Sequence, residues 1–538
     1  MTTGSVNLLD CTLRDGGYYN AWDFDADLAE SYFEQLALGG VNIIEIGFRF
    51  TDQSKFYGPF AHTSEEFLAT LNLPEGPTYG VMLNASDYLT DAMEDDIHRN
   101  FVPASESPIS LVRIAAHIRQ IPECGPLIAR LKELGYMVGL NIMQISQADD
   151  EKVRELVRTI EEDFVDFEAL YFADSLGNMR PEDVRRVVEL LREQSDKAIG
   201  FHGHDNICLG VSNSLCAIEA GATWVDATIT GMGRGAGNTQ TEYLAIELKN
   251  RGLSDLKCLH IHQAATGEFS AMQKDYGWGT NLYYYEAGLR AVHPSYVQQM
   301  LQTDRFEPID ILSMISTLGD SDHNLSYSEK NIESAFASFL NKPHGTTEMK
   351  GRWTGRPVVL IAGGPNARRH SKAIEAFAHR NQALKLAVNA NDFYDPSQVD
   401  GIVCVHPARL LSYLRKKDWA HVPLYTSLAA MPDDVAGDIE KRTEVVDYGV
   451  CVEADRFETL GDGCYIPSPL AAGVALAMAL DANASQVFLA GFDGFDGMAR
   501  EYREMQSLLD QAAEAGCQIS SLTETHFHVP MASLYGVA

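Results

Sequence analysis

The sequence predicts an α/β protein, a TIM (β/α)8 barrel with a helical extension followed by a separate Rossmann-like α/β domain. Three observations carry this expectation. Between residues 6 and 252, eight short apolar runs alternate with stretches of helical period. From residue 255 the strand pattern stops and aromatic-rich helical segments take over. Strand–helix alternation then restarts at Val358-Val359-Leu360-Ile361-Ala362-Gly363-Gly364 and continues to the C-terminus. At 538 residues the chain exceeds what one core supports, so two to four units are expected.

The eight runs are VNLLDCTL, VNIIEIGF, TYGVMLN, ISLVRIAA, YMVGLNIM, ALYFADS, KAIGFHGH and WVDATIT. Each is short and rich in Val, Ile, Leu or Tyr, as parallel strands covered on both faces are. Helical patterns such as DLAESYFEQLALGG and PEDVRRVVELLREQ lie between them. Eight regular units in about 250 residues match the size of a TIM barrel. A doubly wound open sheet is the alternative, and the regularity favours closure. The expected boundaries are a barrel over 1–254, a helical extension over 255–342, a linker over 343–356 and an α/β domain over 357–538. The linker assignment rests on the turn formers and missing periodicity of NKPHGTTEMKGRWTGRP.

Hydrophobic residues at 45% and charged residues at 22% are ordinary for a globular protein. Seventy-five acidic against 42 basic residues give a net charge of −33, which repels phosphate backbones and anionic lipid surfaces. Nucleic acid and membrane are therefore poor partners. The N-terminus has no basic segment followed by an apolar one, and no apolar run reaches 18 residues. Nine cysteines without CxxC pairs suit a reduced, cytoplasmic protein.

In a barrel the active site forms beyond the carboxyl ends of the strands. The first strand ends in Asp10-Cys11-Thr12-Leu13-Arg14-Asp15-Gly16-Gly17, the seventh in Phe201-His202-Gly203-His204-Asp205-Asn206. Residues i and i+2 of a strand point the same way, so His202 and His204 can converge on one ion, and Gly203 leaves room for close approach. With Asp15 they form a candidate donor set for Mn²⁺ or Mg²⁺, with Co²⁺ also suited; Zn²⁺ accepts such ligands but favours a tighter tetrahedron. Two unrelated histidines and a helix-capping aspartate are the bland reading. The combination on one barrel face is far more specific.

Asn141, Asp174, Asn206, Arg113 and Glu45 also fall near strand ends or at inward positions, and interior polar packing competes with a substrate-binding or orienting role. The loop Gly231-Met232-Gly233-Arg234-Gly235-Ala236-Gly237-Asn238 follows the eighth strand, where barrels bind anions on backbone N–H groups; a tight turn explains it equally well.

DxTLRDG on the first strand with HxHxN on the seventh resembles the DRE-TIM metallolyase superfamily. HGHDNICLGVSNSLCAIEAGATWVDATITGMGRGAGN is most similar to its 4-hydroxy-2-oxovalerate aldolase branch. The resemblance spans roughly residues 6–340. It implies a pyruvate-type 2-oxo acid chelating the metal, an aldehyde partner (with sugar-derived ones in view), and Arg14 donating to the enolate oxygen. Asn141, Asp174, Asn206 and Gly233 are the expected substrate-binding positions, and a homo-oligomer is expected. Two departures stand out. Tyr18-Tyr19 occupies the place of that branch's acid–base histidine, and Trp278 stands near a helping tyrosine of the branch. Tyr18 is then the expected proton-transfer group, its pKa lowered by Arg14 and the ion. A Claisen-type acyl-CoA synthase or lyase and a non-catalytic scaffold are the alternatives.

In the C-terminal part, the IAGGPN turn leads to a helix from about Arg369, and PLAAGVALAMAL leads to VFLAGFDG ending at Asp493-Gly494. With Val388-Asn389-Ala390-Asn391 these segments resemble the fold shared by bacterial sialyltransferases and archaeal-type pterin pyrophosphokinases. That implies a nucleotide or nucleotide-sugar cleft; a silent assembly domain is equally compatible. Thr525-His526-Phe527-His528 reads as surface or core histidines before a metal pair.

Overall fold

The computed structural model describes residues 6–303, 306, 308–321, 327–328, 331–332, 335, 340–389, 396–406, 409–410, 422–431, 433–494 and 500–536. The chain divides into two compact units, Met1–Ser328 and Glu329–Ala538.

The first unit is a closed barrel of eight parallel strands in sequence order. These are β1 (Asn7–Asp10), β2 (Ile43–Phe48), β3 (Thr78–Asn84), β4 (Leu111–His117), β5 (Met137–Met143), β6 (Ala169–Asp174), β7 (Ala198–Gly203) and β8 (Trp224–Ala227). Each coincides with one of the eight apolar runs. Closure runs from Asn7 opposite Trp224 to Asp10 opposite Ala227. The intervening helices start and stop where their end residues dictate. Helix Ala26–Gly39 begins at Asp25, whose carboxylate accepts the Asp27 and Leu28 N–H groups, and ends at Gly40 with φ 79°. Its Leu28, Tyr32, Phe33 and Leu36 are buried in the core shared by strands and helices.

The barrel interior decides where chemistry can sit. One layer is apolar: Leu9, Cys11, Ile43 and Leu111, packed against Met137 and Trp224. Glu45, Arg113, Tyr171 and Asp226 are also buried, so ion pairs fill space that branched aliphatics usually occupy in such barrels. The β2–β3 register slips between Glu45 and Gly47, a bulge that re-aims the strand next to Glu45. Helices Cys258–Thr266, Glu268–Tyr276, Leu282–Leu289, Pro294–Leu301 and Pro308–Gly319 form the expected extension. Among the described residues no helix is long and apolar enough to cross a membrane.

The second unit contains a seven-stranded parallel sheet of order β14-β13-β12-β11-β10-β18-β19 and a four-stranded sheet of order β16-β17-β15-β9. The strands are β9 (Asn341–Lys342), β10 (Val358–Ile361), β11 (Leu384–Val388), β12 (Gly401–Val403), β13 (Leu424–Thr426), β14 (Val445–Asp447), β15 (Gly449–Val452), β16 (Glu458–Thr459), β17 (Gly463–Ile466), β18 (Val487–Ala490) and β19 (Ile519–Ser521). The α/β expectation for this part holds.

The linker expectation does not. Residues 341–356 belong to the second unit: Lys342 pairs with Val450, Gly345 N–H donates to Asp462 O at 2.9 Å, and Thr346 N–H donates to Asp447 at 2.9 Å. Met349 is fully buried, and Trp353 packs edge-on to Tyr425 at 5.8 Å. The segment lacks periodicity because individual hydrogen bonds and two anchors, rather than a helix or a long strand, hold it in place. The boundary between the two units falls at Ser328/Glu329, ahead of the expected end of the helical extension at 342.

Candidate metal centre

Asp15 sits in a short helix, α1 (Thr12–Gly16), that turns straight out of β1. Asp10 fixes this turn: its carboxylate accepts Thr12 N–H at 2.9 Å, Thr12 Oγ1 at 2.6 Å, Tyr32 Oη at 2.7 Å and Thr241 Oγ1 at 2.5 Å. Thr12 Oγ1 in turn accepts Ile229 N–H at 2.7 Å, tying the turn to the end of β8. Arg14 and Asp15 are thereby held rigidly and are buried.

Donor atoms of Asp15, His202 and His204 lie within 4.8 Å of one another, as the strand geometry predicts. His202 Nε2 is 3.6 Å from Asp15 Oδ2, while His202 Nδ1 donates to Asp226 Oδ2 at 2.9 Å. That contact fixes the ring and leaves Nε2 for an ion, the usual carboxylate–histidine–metal arrangement. Asn238 Nδ2 donates to Asp15 Oδ2. His204 Nδ1 is buried without a protein partner. Gly203 does make room, but not for the ion: a Cβ there would lie 2.8 Å from the Phe201 ring and 3.2 Å from Thr239 Oγ1.

Behind the donors runs a continuous chain of buried charge. Arg14 gives Nη1 to Asp15 at 2.6 Å and Nε to Glu45 at 2.7 Å. Glu45 also takes Nε and Nη2 of Arg113, both at 2.7 Å. Arg113 Nη1 closes the chain on Asp226 at 2.6 Å, with its guanidinium 4.7 Å from the Tyr171 ring centre. Burial alone opposes ionisation of Asp15, yet Arg14 and His202 hold its carboxyl well below the usual range. For His202, burial is outweighed by the hydrogen bonds to Asp15 and Asp226, and its pKa rises. Burial, aided by His202, lowers His204 to about 3, so it stands as a neutral ligand. Two guanidiniums face three carboxylates, so with His202 neutral, as a ligand must be, one negative charge is left to meet a divalent cation.

A second grouping, Cys11, His202 and Asp226, does not fit an ion as well. Burial pushes the Cys11 thiol up, away from thiolate, and its Sγ donates to Ala227 O at 3.6 Å. The oxygen and imidazole donors of Asp15, His202 and His204 suit a hard or borderline divalent ion.

The remaining expected residues divide. Asn141 lies on β5, 3% exposed, its Oδ1 buried without a protein partner. Asn206 is fully buried, with neither amide atom partnered. Both keep unmet polar capacity. Asp174 instead ties down its own loop, accepting Asn178 N–H at 3.0 Å and Met179 N–H at 3.2 Å, and burial raises it to about 7. Gly233 is a spacer: a Cβ there would lie 2.7 Å from Asn238 Nδ2, the group that holds Asp15. The Trp278 indole is buried and donates to Thr230 O at 3.0 Å, and Tyr19 Oη donates to Gly235 O at 2.8 Å. Tyr18 keeps 39% of its surface accessible, its ring edge-on to Trp22 at 4.8 Å and 5.7 Å from the Arg234 guanidinium. With no ion bound, burial of the packed ring raises its phenol, and Arg234 and Arg14 oppose that rise. Asp226 is the functional residue the sequence reading passed over. Its signal was a lone acid in the apolar run WVDATIT.

Over 247 residues, 46% of this chain and 70% of the relative, the protein is 31% identical to an oxaloacetate decarboxylase of Mycobacterium tuberculosis. The family described as HMGL-like matches residues 5–267. The chain belongs to the HMGL-like family. A 4-hydroxy-2-oxovalerate aldolase of Moorella thermoacetica is 32% identical over 256 residues, 47% of this chain and 72% of that one. Among solved structures, the N-terminal domain of a candidate aldolase from Bacteroides vulgatus aligns with TM-score 0.51 and 30% identity, covering 56% of this chain and 97% of the other. The HMGL-like barrel is thus an enzyme of carbon–carbon bond cleavage or formation. The family match ends at residue 267, and the sialyltransferase-like resemblance of the second unit gains no support from these comparisons. Of its Val388-Asn389-Ala390-Asn391 stretch, residues 390 and 391 lie outside the described residues; His526 and His528 are exposed.

Proposed function

We propose that the barrel makes or breaks the bond next to the 2-oxo group of a pyruvate-type acid, with an aldehyde as the other partner. Asp15, His202 and His204 would hold the divalent ion, Mn²⁺ or Mg²⁺ by donor type, with Co²⁺ or Zn²⁺ also compatible. When bound, the ion supplies Lewis-acid polarisation of the 2-oxo acid. One observation carries the reading. Arg14 has two donors fixed on Asp15 and Glu45, while Nη2 has no protein partner among the described residues. A planar donor so fixed beside the donor set places positive charge where an enolate oxygen develops, with little reorganisation.

In condensation, a proton leaves the carbon beside the 2-oxo group, that carbon attacks the aldehyde carbonyl, and the new alkoxide takes a proton; cleavage runs the same steps backwards. Tyr18 is the proposed proton-transfer group. With its phenol raised, it is protonated at neutral pH and suited to donate to the alkoxide. Decarboxylation of an acid such as oxaloacetate passes through the same enolate, and the mycobacterial relative favours keeping it as a second reading.

The test is exchange of the pyruvate methyl protons in D₂O with added Mn²⁺ or Mg²⁺, followed by proton NMR. Metal-dependent exchange is expected without any acceptor. No exchange with either ion, in protein shown to bind it, contradicts the proposal.

A further inference from the structure

The end of β8 leads into a loop whose one cation, Arg234, has no ion-pair partner among the described residues. Arg234 is partly buried, its Nε is shut off from solvent without a hydrogen-bond partner, and no carboxylate forms an ion pair with it among the described residues. In a chain with 75 acidic against 42 basic residues, pairing would be easy to provide. A partly desolvated guanidinium without an anion is costly unless an anion arrives with a ligand.

The loop is rigid. Tyr19 Oη holds Gly235 O at 2.8 Å, Gly237 N–H donates to Arg234 O at 3.2 Å, and a Cβ on Gly235 would lie 2.6 Å from Pro294. That last contact brings the loop against His293, the residue before helix Pro294–Leu301. His293 Nδ1 accepts Ser295 N–H, so its ring proton sits on Nε2 as a neutral donor. Burial, with Arg234 next, lowers His293 to about 2 and keeps it neutral. Arg234 lies 5.7 Å from the Tyr18 ring centre, on the side of the site where the acceptor carbonyl must meet its proton donor.

We propose that Arg234, helped by His293, binds an oxyanion (carboxylate or phosphate) on the carbonyl partner of the enolate. The second substrate is then an acidic aldehyde, or in cleavage a 2-oxo acid with a second anionic group. This deepens the enolate reading above and rests on it.

Matched aldehydes test it. With pyruvate and metal-loaded enzyme, kcat/KM is compared for succinic semialdehyde against butyraldehyde, and for glyceraldehyde 3-phosphate against glyceraldehyde. One charged member is expected to win by at least about tenfold, and which one distinguishes carboxylate from phosphate. Arg234→Gln should shrink that ratio by about 10- to 100-fold, the usual effect of losing a charge-assisted contact, with Arg234→Lys intermediate. Calorimetric titration of the full-length protein with inorganic phosphate and with succinate gives a readout free of turnover, and the anion matching the preferred aldehyde should lose affinity in Arg234→Gln. Equal use of charged and neutral aldehydes, or an unchanged ratio in the variant, overturns the proposal. So does an equal rise of the pyruvate KM, which would mean that Arg234 holds the carboxylate of pyruvate itself. If wild-type protein shows neither proton exchange nor turnover, the enolate reading fails; anion binding lost in Arg234→Gln would still support the site, and binding retained would sink it.

Discussion

Both units are built on parallel strands, yet their polar interiors are made of different material. In the barrel, Arg113 and Glu45 are wholly inaccessible and paired at 2.7 Å, and the chain of charge runs on through Arg14, Asp15 and Asp226. In the second unit, every ion pair among the described residues has exposed or half-exposed members, as with Arg456–Glu458 and Arg500–Glu504. Its buried polar atoms include the unpartnered hydroxyls of Thr426, Ser427 and Ser468, and Asp493, which accepts Asn366 N–H at 2.8 Å. Burying charge costs several kcal/mol per ion before any is regained. The barrel carries that cost beside the proposed site, whereas the second unit has no wholly buried ion pair among its described residues.

The sharpest way to break this contrast is to remove a donor. His204→Ala should abolish stoichiometric Mn²⁺ binding and pyruvate proton exchange while the far-UV spectrum stays unchanged. Metal content by mass spectrometry and NMR exchange check both. Next is Arg14→Lys, which keeps the charge but loses the planar head; exchange should slow about 100-fold or more with the metal retained. Third, Asp226→Asn should cost about 10- to 100-fold in metal affinity or rate, because it frees the His202 ring and leaves Arg113 short of a partner. Asp493→Asn in the second unit should alter neither, and an equal effect of the two changes would erase the contrast.

Smaller effects sharpen it on the side of stability. Trp353→Ala should remove about 3–5 kcal/mol from the second unit and leave proton exchange untouched, as calorimetry and NMR would show. A free linker would tolerate the change. Asp174 gives the least. Its folded pKa is raised from 3.8 to about 7, so the stability from its protonated form is full below about pH 4 and lost as pH rises through 7. Asp174→Asn should therefore flatten the fall of the barrel's Tm between pH 4 and 8 by several degrees, read by scanning calorimetry.

Much of the barrel could be read in advance, for a physical reason. Strands buried on both faces must be apolar throughout, so eight runs announced eight strands, and the i, i+2 spacing announced that His202 and His204 converge. Asp226 was hidden because its partners, His202 and Arg113, lie 24 and 113 residues away and meet it only on closure. Arg234 was quoted only as part of a glycine loop; its meaning lies in the absence of a partner, which no sequence displays. For Asp174 and Gly233 a position near a strand end does not say whether a group serves the substrate or its own loop. The 343–356 segment deceived for a related reason: turn chemistry without periodicity looks the same whether the chain is free or strapped down.

The most direct check of the metal centre is anomalous diffraction at the manganese edge from crystals grown with Mn²⁺. One strong peak is expected, bounded by Asp15, His202 Nε2 and His204, with His202 Nδ1 still on Asp226. A peak at the Cys11 side of His202, or none in protein that catalyses pyruvate proton exchange, would contradict it.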